Sequence, residues 1–499
     1  MVPSLSLSSL SKARPPEFPT ALGSACPPEE NQTPNLLEAT KSPANQKRNV
    51  DVQYSKVFHA MPSPDRAPSL LTPIGFSYYA RTTFLQPSLY QTLLDRGFRR
   101  SGTLLYKPDQ IAACCPHYTI RLDSDVFHAS KDQRQSLNRF NRYILGDDYI
   151  KEAAKLYPKS RAHAKKRDTD FDLIERVHES EEEKLKTPPA PAHALKVTLE
   201  PDSFTNEKYV LFENYQRNVH REPPHRISRS GFKSFLCNSP LPRRKQAVDG
   251  REKHLGSYHQ CYRIDGKLIA IGVLDLLPQC VSAVYFMYHE SVHQHGFGKL
   301  GALREIALAK EEGYKWWYAG FYIHSCIKMR YKADYTPQYM LDPDSYEWNL
   351  LNDELKKKLD NKAFVSLSRE RTSAQTAPTM PNRETIGVGS SSRAMDIWEE
   401  TGDMVMEEDE DSDTDPPVPN PDAPLWERAM PGILTKDQLE TGIDLDQIKL
   451  QIDGKIYDAS MLVNWESSSI ENPHSTKGVI AELVAAVGAE IGKEMVLTF

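Results

Sequence analysis

The clearest hydrophobic patterning lies in the middle of the chain, where alternating and helically spaced apolar positions follow one another. The Asp265-Gly266 pair between two alternating runs is typical of a tight hairpin turn, and Gly313 ends a helical run as a C-cap. The order hairpin, strand, helix, strand predicts a mixed α/β (α+β) sheet. The predicted elements are strands over 258–264, 267–276, 282–288 and 314–323, and a helix over 300–312.

Weaker patterns on either side of this region predict further short elements. Ser88 and Thr205 are expected as helix N-caps, and Gly97 is expected to stop the first of these two helices. The predicted elements are helices over 88–96 and 205–220, strands over 103–106 and 118–122, and a hairpin within 443–463.

Changes in composition divide the chain into ordered blocks and polar connections. The first 72 residues lack periodicity, and a disordered tail is favoured there over a weak mitochondrial address. The charged stretch before Leu195 is either a hinge or a solvated helix. The predicted segments are 1–72 (disordered), 73–150 (a first, smaller α+β domain), 151–194 (charged linker), 195–368 (a second domain), 369–440 (disordered, acidic) and 441–499 (a small extension without an assigned role).

Charge and cysteine usage narrow the class of protein. The formal net charge is −6, but the run from Glu407 to Asp415 contributes seven acids, so removing it leaves +1 for the rest. The seven cysteines are scattered and odd in number, which argues against a secreted disulfide framework. We therefore expect a reducing compartment, the cytoplasm and additionally the nucleus. No apolar run reaches the length of a membrane helix, so no membrane partner is expected.

A glycine-containing loop precedes the predicted helix at 300–312. Gly296, Gly298 and Lys299 lie between a strand and a helix N-terminus, where backbone N–H groups can face an anion such as a tRNA phosphate. On spacing alone, a tight strand-to-helix turn without a ligand is equally compatible with this pattern.

A second candidate site follows the last predicted strand, where a histidine and three cations are packed into nine residues, His324 to Lys332. Lys328, Arg330 and Lys332 suit a carboxylate or phosphate ligand. A solvated basic loop is the competing interpretation. Neighbouring aromatic residues such as Tyr322 and Tyr331 indicate either a partly closed pocket or simply the core.

Two other groups of residues give less specific signals. The vicinal pair Cys114 and Cys115 does not complete a tetrahedral metal site, which normally needs four ligands, so buried structural cysteines are favoured. Basic residues that could contact an RNA backbone are present in two clusters. These are Arg96, Arg99, Arg100 and Lys107 in the first, and Arg243, Arg244 and Lys245 in the second.

Taken in order, these segments resemble the arginyl-tRNA–protein transferase family over about 73–150 and 200–350. The resemblance rests on several motifs, and the long tails lie outside it. The matching stretches are 94–102, 106–108, 114–116, 118–121, 232–241, 256–260, 265–270, 302–306, 320–326 and 328–332.

The resemblance implies a GNAT-like acyltransferase fold for the second domain, which would bind the end of arginyl-tRNA instead of an acyl-CoA. The acceptor would be a protein that begins with Asp, Glu or oxidised Cys, and the product would be marked for ubiquitin-dependent degradation through the N-degron pathway. A neutral α-amine attacks the ester carbonyl, so the chemistry needs positioning and proton removal and no cofactor.

Roles for individual residues follow from the resemblance and from charge. Lys328, Arg330 and Lys332 are expected to pair with the acidic acceptor, with Tyr331 and Tyr322 beside them. Three further residues are candidates for catalysis: His324 as an aid to proton removal, and Asp275 or Glu290 to steer a cationic amine or the arginine head group.

One feature departs from the family. Its members have a Cys-Gly-Tyr-Cys motif shortly before the segment that matches Ser77-Tyr78-Tyr79, and this motif works with the vicinal cysteines to hold zinc or an iron–sulfur cluster. Here 73–76 leads directly into that segment, and Cys26 is the single upstream cysteine. A splice form, a faulty gene model or a metal-free variant would each explain this. The ligand set for zinc or iron–sulfur is expected to be incomplete.

Two alternative functions remain open on the sequence. A CoA-dependent N-acyltransferase of the same fold is compatible with the glycine loop, but it leaves the first domain without a role. A non-enzymatic RNA- or degron-binding module, weakened by the missing cysteines, is the other.

Overall fold

The computed structural model describes residues 4–6, 76–248, 251–376 and 423–498. Apart from the short strand at 4–6, the predicted disorder of 1–72 lies outside the described residues, as does the acidic run. The strands are β1 (Ser4–Ser6), β2 (Phe76–Arg81), β3 (Arg99–Ser101), β4 (Leu104–Asp109), β5 (Tyr118–Asp123), β6 (Leu195–Pro201), β7 (Arg244–Val248), β8 (Arg251–Ile264), β9 (Lys267–Leu277), β10 (Cys280–Tyr288), β11 (Trp316–Tyr318), β12 (Phe321–Tyr322), β13 (Gln338–Leu341), β14 (Trp348–Leu350), β15 (Lys449–Ile452), β16 (Lys455–Asp458) and β17 (Val496–Thr498).

The helices surround these strands. They are α1 (Pro87–Leu94), α2 (Lys131–Leu145), α3 (Asp147–Leu156), α4 (Arg161–Thr169), α5 (Leu173–His178), α6 (Asn206–Asn218), α7 (Arg229–Phe232), α8 (Phe297–Glu312), α9 (Ile327–Arg330), α10 (Asp353–Asn361), α11 (Leu367–Thr376), α12 (Lys436–Gly442), α13 (Thr476–Val487) and α14 (Ala489–Glu494). None of the helices in the described ranges has the length and apolar character that crossing a membrane requires.

A ten-stranded mixed sheet forms the centre of the protein. Its strands follow the order β14-β13-β5-β11-β10-β9-β8-β6, with β12 paired to β5 and β7 paired to β8. The pairing is antiparallel except for β10 with β11, which run parallel. The predicted mixed α/β architecture is therefore confirmed, and the GNAT-like detail stays a prediction.

Local sequence signals account for the elements around the centre of the sheet. Asp265 and Gly266 both have positive φ, of 51° and 78°, as the hairpin between β8 and β9 requires. Thr205 caps α6, since its side chain accepts from the Lys208 N–H at 3.2 Å. Gly313, with φ of 73°, ends α8 in the left-handed conformation.

Two predicted elements differ from the structure, and the open choice for a third segment is decided. The single strand expected over 314–323 is split into β11 and β12, because Gly320 has φ of 79° and turns the chain between them. The first helix is capped at Gln86 and begins with Pro87, so Ser88 is not its N-cap. Between 151 and 194 the chain forms α4, α5 and the end of α3, so the helical interpretation of that segment is correct.

The first family block is integrated into the sheet through β5. This strand lies between β11 and β13, and Leu122 pairs with Trp317 on one side and Gln338 on the other. The helix α2 packs on α8. The boundaries at 150 and 195 stay predictions, but the two blocks share one sheet, so residues of both can line one site.

The C-terminal extension is also part of the fold. Buried side chains of α13, such as Leu483 and Val484, belong to the same hydrophobic cluster as Tyr90 and Leu93 of α1. Burying side chains of this size contributes about 1.5–3 kcal/mol each. Residues 423–498 therefore cover the first block and help to hold β2, β3 and β4 in place.

Candidate active site

The central sheet opens between β10 and β12. The parallel pairing of β10 with β11 runs only from Cys280–Trp316 to Ser282–Tyr318. Beyond that point β12 pairs with β5 instead, and β10 has a register shift after Ala283. Because these strands separate there, the segment that follows β12 has room to enter between them.

Lys332 lies at this opening. Its Nζ donates to the Phe321 carbonyl at 2.8 Å. A Cβ added to Gly320 would lie 3.6 Å from that Nζ and 3.7 Å from the Ala283 carbonyl of β10. The ammonium group thus lies between the separated strands. Burial and the nearby Arg99 lower the pKa of Lys332 to about 7, against the opposing influence of Glu305.

Glu305 of α8 is the acidic counterpart of Lys332. It is buried, and its Oε2 accepts from Trp317 Nε1 at 2.8 Å. Burial raises the pKa of Glu305 to about 7, although Trp317 and Lys332 both act in the opposite direction. The pKa values of Glu305 and Lys332 are thus both shifted toward neutral pH, and perturbed pKa values of this kind are typical of functional sites.

A hydrogen-bonded chain lies beside this pair. The Tyr322 hydroxyl is 2.6 Å from His324 Nδ1, and His324 Nε2 is 2.7 Å from Asp360 Oδ1. Arg330 Nε donates to the His324 carbonyl at 3.1 Å, and its Nη2 lies 3.4 Å from Asp360. Since Tyr322 is buried and Asp360 is exposed, the chain runs from the core to the surface.

The remaining substrate-binding candidates lie on the same side. Lys328 is exposed on α9, and its charge helps burial to lower the pKa of His220 to about 4. Tyr331 is 46% exposed, and its ring is 6.5 Å from that of Tyr335. Tyr322, His324, Lys328, Arg330, Tyr331 and Lys332 therefore belong to one segment beside the opening of the sheet, in which Tyr322 is buried and Lys328, Arg330 and Tyr331 are exposed.

The assignment of Asp275 to catalysis is not supported by its position. Its side chain is fully buried on β9 and binds Arg100 through two hydrogen bonds of 2.5 and 2.7 Å. Ser257 Oγ donates to it at 2.5 Å as well. A carboxylate satisfied in this way cannot reach a substrate amine. Glu290 is exposed at the end of β10, where it accepts from Asn214 at 3.3 Å, and its role stays a prediction.

The expected tRNA contacts in the first block are largely enclosed. Arg100 is buried and forms an ion pair with Asp275, so its guanidinium is not available to a tRNA phosphate. The expected tRNA contact of Arg100 is therefore corrected. Lys107 is buried and donates to the Tyr346 hydroxyl at 2.5 Å, and burial lowers its pKa to about 7. Arg96 is partly buried beside the Tyr346 ring. These side chains do not form an open phosphate-binding surface.

The glycine loop begins α8, as predicted. Gly296 precedes the helix with φ of 70° and is exposed, and Gly298 lies in the first turn with open space around it. Lys299 is ion-paired with Asp132 of α2. The N-terminus of a sixteen-residue helix remains accessible here, and an anion at this loop stays a prediction.

The vicinal cysteines lie next to the candidate site, because Cys115 contacts Ser325. The two sulfur atoms are 3.6 Å apart. The hydrogen bond from Cys114, with help from Ser325, lowers the pKa of Cys115 to about 6. Within the described ranges, no third His, Cys, Asp or Glu side chain joins the pair. Two thiols do not fit a zinc or iron–sulfur site, and Cys26 lies outside the described residues.

Comparison with known proteins gives the family of this chain. Residues 42–135 match the family model "Arginine-tRNA-protein transferase, N terminus", and 207–342 match "Arginine-tRNA-protein transferase, C terminus". The Drosophila melanogaster arginyl-tRNA–protein transferase 1 is 30% identical over 384 residues, which cover 56% of this chain and 79% of that protein. The chain belongs to the arginyl-tRNA–protein transferase family. It is an enzyme of the aminoacyl-tRNA-dependent transferase class.

Other relatives extend this result. The arginyl-tRNA–protein transferase 1 of Saccharomyces cerevisiae is 32% identical over 269 residues, covering 50% of this chain, and the chain spans 48% of that protein. An aspartate/glutamate leucyltransferase of Stutzerimonas stutzeri is 27% identical over 274 residues, covering 52% of this chain and 86% of that protein. This member of the arginyl-tRNA–protein transferase family is thus also similar to a protein whose name specifies leucine as the transferred amino acid.

Two residues of the site were missed from the sequence. Glu305 was missed because most residues of α8 are buried, so the helix shows no clear polar face against which a buried acid would stand out. Asp360 reaches His324 from α10, 36 residues further along the chain. In the sequence, Asp360 is one of several charged residues of a helix, and this pattern does not predict a contact with His324.

Proposed function

We propose that this chain transfers arginine from arginyl-tRNA to the N-terminal α-amine of proteins that begin with Asp, Glu or oxidised Cys. The product would enter ubiquitin-dependent degradation. Membership of the arginyl-tRNA–protein transferase family supports the reaction. The observation that carries the proposal for this site is the surface where α9 places its cations beside the His324–Asp360 pair at the opening of the sheet.

The charges of this surface suit an acidic acceptor. Lys328 and Lys332 supply positive charge for the acceptor's side-chain carboxylate, while Asp360 supplies negative charge for its α-ammonium. Asp360 is 55% exposed, so a peptide N-terminus can reach it. Placing opposite charges on either side of one surface orients the amine without a covalent intermediate.

The reaction then needs the loss of one proton. In the tautomer that the reaction needs, His324 Nδ1–H donates to the Tyr322 hydroxyl, which leaves Nε2 as the acceptor beside Asp360. The α-ammonium gives its proton to His324 Nε2, the imidazolium that forms pairs with the Asp360 carboxylate, and the neutral amine attacks the ester carbonyl of arginyl-tRNA. A C–N bond forms, the C–O bond breaks, and the tRNA 3′-hydroxyl takes up a proton as it leaves.

The proposal is tested with isosteric acceptors. Peptides that begin with Asp and Glu are compared with peptides that begin with Asn and Gln, using tRNA charged with radiolabelled arginine. We expect kcat/KM to be at least tenfold higher for the two acidic peptides. Equal labelling of all four peptides would show that the enzyme does not select acidic acceptors. Labelling of none would contradict the proposed reaction.

A further inference from the structure

Two adjacent arginines of β3 have opposite environments. Successive side chains of a strand point to opposite faces, so Arg100 faces β9 and Arg99 faces β11 and β12. Arg100 Nε donates to Asp275 Oδ2 at 2.7 Å, and its Nη2 donates to Oδ1 at 2.5 Å. The guanidinium carbon of Arg99 instead lies 5.2 Å from the centre of the Phe321 ring and 5.7 Å from that of Tyr318.

Arg99 is buried and forms no ion pair with a carboxylate of the described residues, although its charge acts on Asp95. It is 6% exposed, and its Nη1 donates to the Phe98 carbonyl at 3.2 Å. Its Nε and Nη2 are also buried, and neither has a hydrogen-bond acceptor among the described residues. A buried guanidinium normally has its N–H groups satisfied. The Nε and Nη2 of Arg99 form one edge of its guanidinium, which we call the vacant edge. Arg100 uses the same two atoms to bind Asp275.

This vacant edge lies close to the candidate active site. Phe321, which stacks under Arg99, is the residue whose carbonyl accepts from Lys332. Arg99 and Lys332 are near enough for the charge of one to act on the other. Thr119, paired with Phe321 across β5 and β12, has a buried hydroxyl that also lacks a partner in the described part of the chain.

We propose that the Nε–Nη2 edge of Arg99 binds the side-chain carboxylate of the acceptor's first residue, in the two-bond geometry that Arg100 adopts with Asp275. This inference rests on the proposed function and names the residue that selects the acceptor. A planar group with two oxygens matches that edge, and the sulfinate of an oxidised cysteine has two oxygens as well. Enclosure by aromatic rings favours a small carboxylate over an RNA phosphate.

The substitution Arg99→Lys tests this assignment, because lysine keeps the charge but cannot make the paired contact. Arg142→Lys, in an exposed ion pair with Asp147, is the matched control. We expect Arg99→Lys to raise KM for the Asp-peptide at least tenfold, with kcat and the affinity for arginyl-tRNA within twofold of the wild type. The preference for Asp over Asn is expected to shrink by the same factor.

Two results would overturn the inference. One is an unchanged Asp-over-Asn preference in Arg99→Lys. The other is lost affinity for arginyl-tRNA with unchanged KM for the peptide, which would assign the edge to RNA. If Arg99→Lys does not fold, Phe321→Leu removes the ring under the guanidinium, and the preference is expected to fall at least threefold. An unchanged preference in that variant would also contradict the assignment.

Failure of the proposed reaction can be separated from failure of this site. If the wild-type chain transfers no arginine, calorimetry of Asp- and Asn-peptides with the wild type and Arg99→Lys still tests the contact. We expect the wild type to bind the Asp-peptide at least tenfold more tightly than the Asn-peptide, and Arg99→Lys to lose this difference. Equal binding of both peptides by the wild type would overturn the inference.

Discussion

Arg100 and Asp275 form a buried, two-bond ion pair that joins β3 of the first family block to β9 of the second. Both side chains are almost completely shielded from solvent. Breaking such a pair leaves an uncompensated charge in the interior. The pair therefore fixes the position of β3, and with it the adjacent Arg99, relative to the sheet.

Replacing Asp275 is expected to damage the fold before it damages the chemistry. Asp275→Asn leaves Arg100 without its partner, and we expect a loss of about 3–5 kcal/mol in the free energy of unfolding, measured by urea denaturation. Asp147→Asn, which breaks the exposed pair with Arg142, is the control and is expected to leave the midpoint unchanged. Normal stability with lost transfer in Asp275→Asn would return Asp275 to the list of catalytic groups.

Glu305 is expected to make stability depend on pH. Its pKa is raised to about 7 in the folded protein, so the folded state binds more protons than the unfolded state between about pH 4.5 and 7. Stability from this group is present at low pH and is lost as pH rises through that window, by about 3 kcal/mol. Glu305→Gln is expected to remove this fall, as measured by urea denaturation at pH 5 and 8. The same fall in wild type and variant would assign it to other groups.

His324 is expected to act on turnover and not on tRNA binding. A positioned proton acceptor contributes about 10²–10⁴-fold to rate, so His324→Gln is expected to lower kcat at least 10²-fold at unchanged affinity for arginyl-tRNA. Asp360→Asn is expected to give a smaller loss, and Asp353→Asn, exposed on the same helix, none. If His324→Gln retained kcat, the Tyr322–His324–Asp360 chain would have only a structural role.

Cys115 is expected to be the more reactive of the vicinal thiols. Its pKa is lowered to about 6, whereas the hydrogen bond with Cys115 and burial raise that of Cys114. Alkylation by iodoacetamide, followed by peptide mass spectrometry, is expected to modify Cys115 first, with a midpoint near pH 6. Ser325→Ala is expected to shift that midpoint upward. Equal modification of both thiols at pH 6.5 would show that Cys114 does not stabilise the Cys115 thiolate.

Metal binding is expected to be weak for this exact sequence. Cys114 and Cys115 supply two thiols, whereas a tetrahedral zinc site needs four ligands. Recombinant protein is expected to hold well below one equivalent of zinc or iron by elemental analysis. A variant with a Cys-Gly-Tyr-Cys segment inserted before Ser77 is the comparison and is expected to hold more. One equivalent of metal in the original chain would mean that other residues complete the site.

Local rules account for much of the fold. The hairpin at Asp265-Gly266, the cap at Thr205 and the end of α8 at Gly313 each follow from one or two residues. The division of the last strand was missed, because Gly320 lies among aromatic residues that read as one continuous run. The integration of β5 into the sheet depends on pairing between distant segments, and periodicity does not encode it.

The candidate site was predicted only where its residues are close in sequence. His324, Arg330 and Lys332 lie within one short segment, and this concentration of charge indicated a binding site there. Arg99 and Arg100 looked like a surface cluster, since a three-residue strand is too short to show alternation. Their environment is formed by β9, β11 and β12, which no local pattern connects to them.

The most direct test of the account is the choice of donor. The chain is incubated with an Asp-peptide and tRNA charged with either arginine or leucine, because its relatives include proteins named for each amino acid. Mass spectrometry of the peptide is expected to show one arginine on the α-amine and no leucine. Leucine transfer, or an unmodified peptide with arginyl-tRNA, would contradict the assignment of this chain as an arginine transferase.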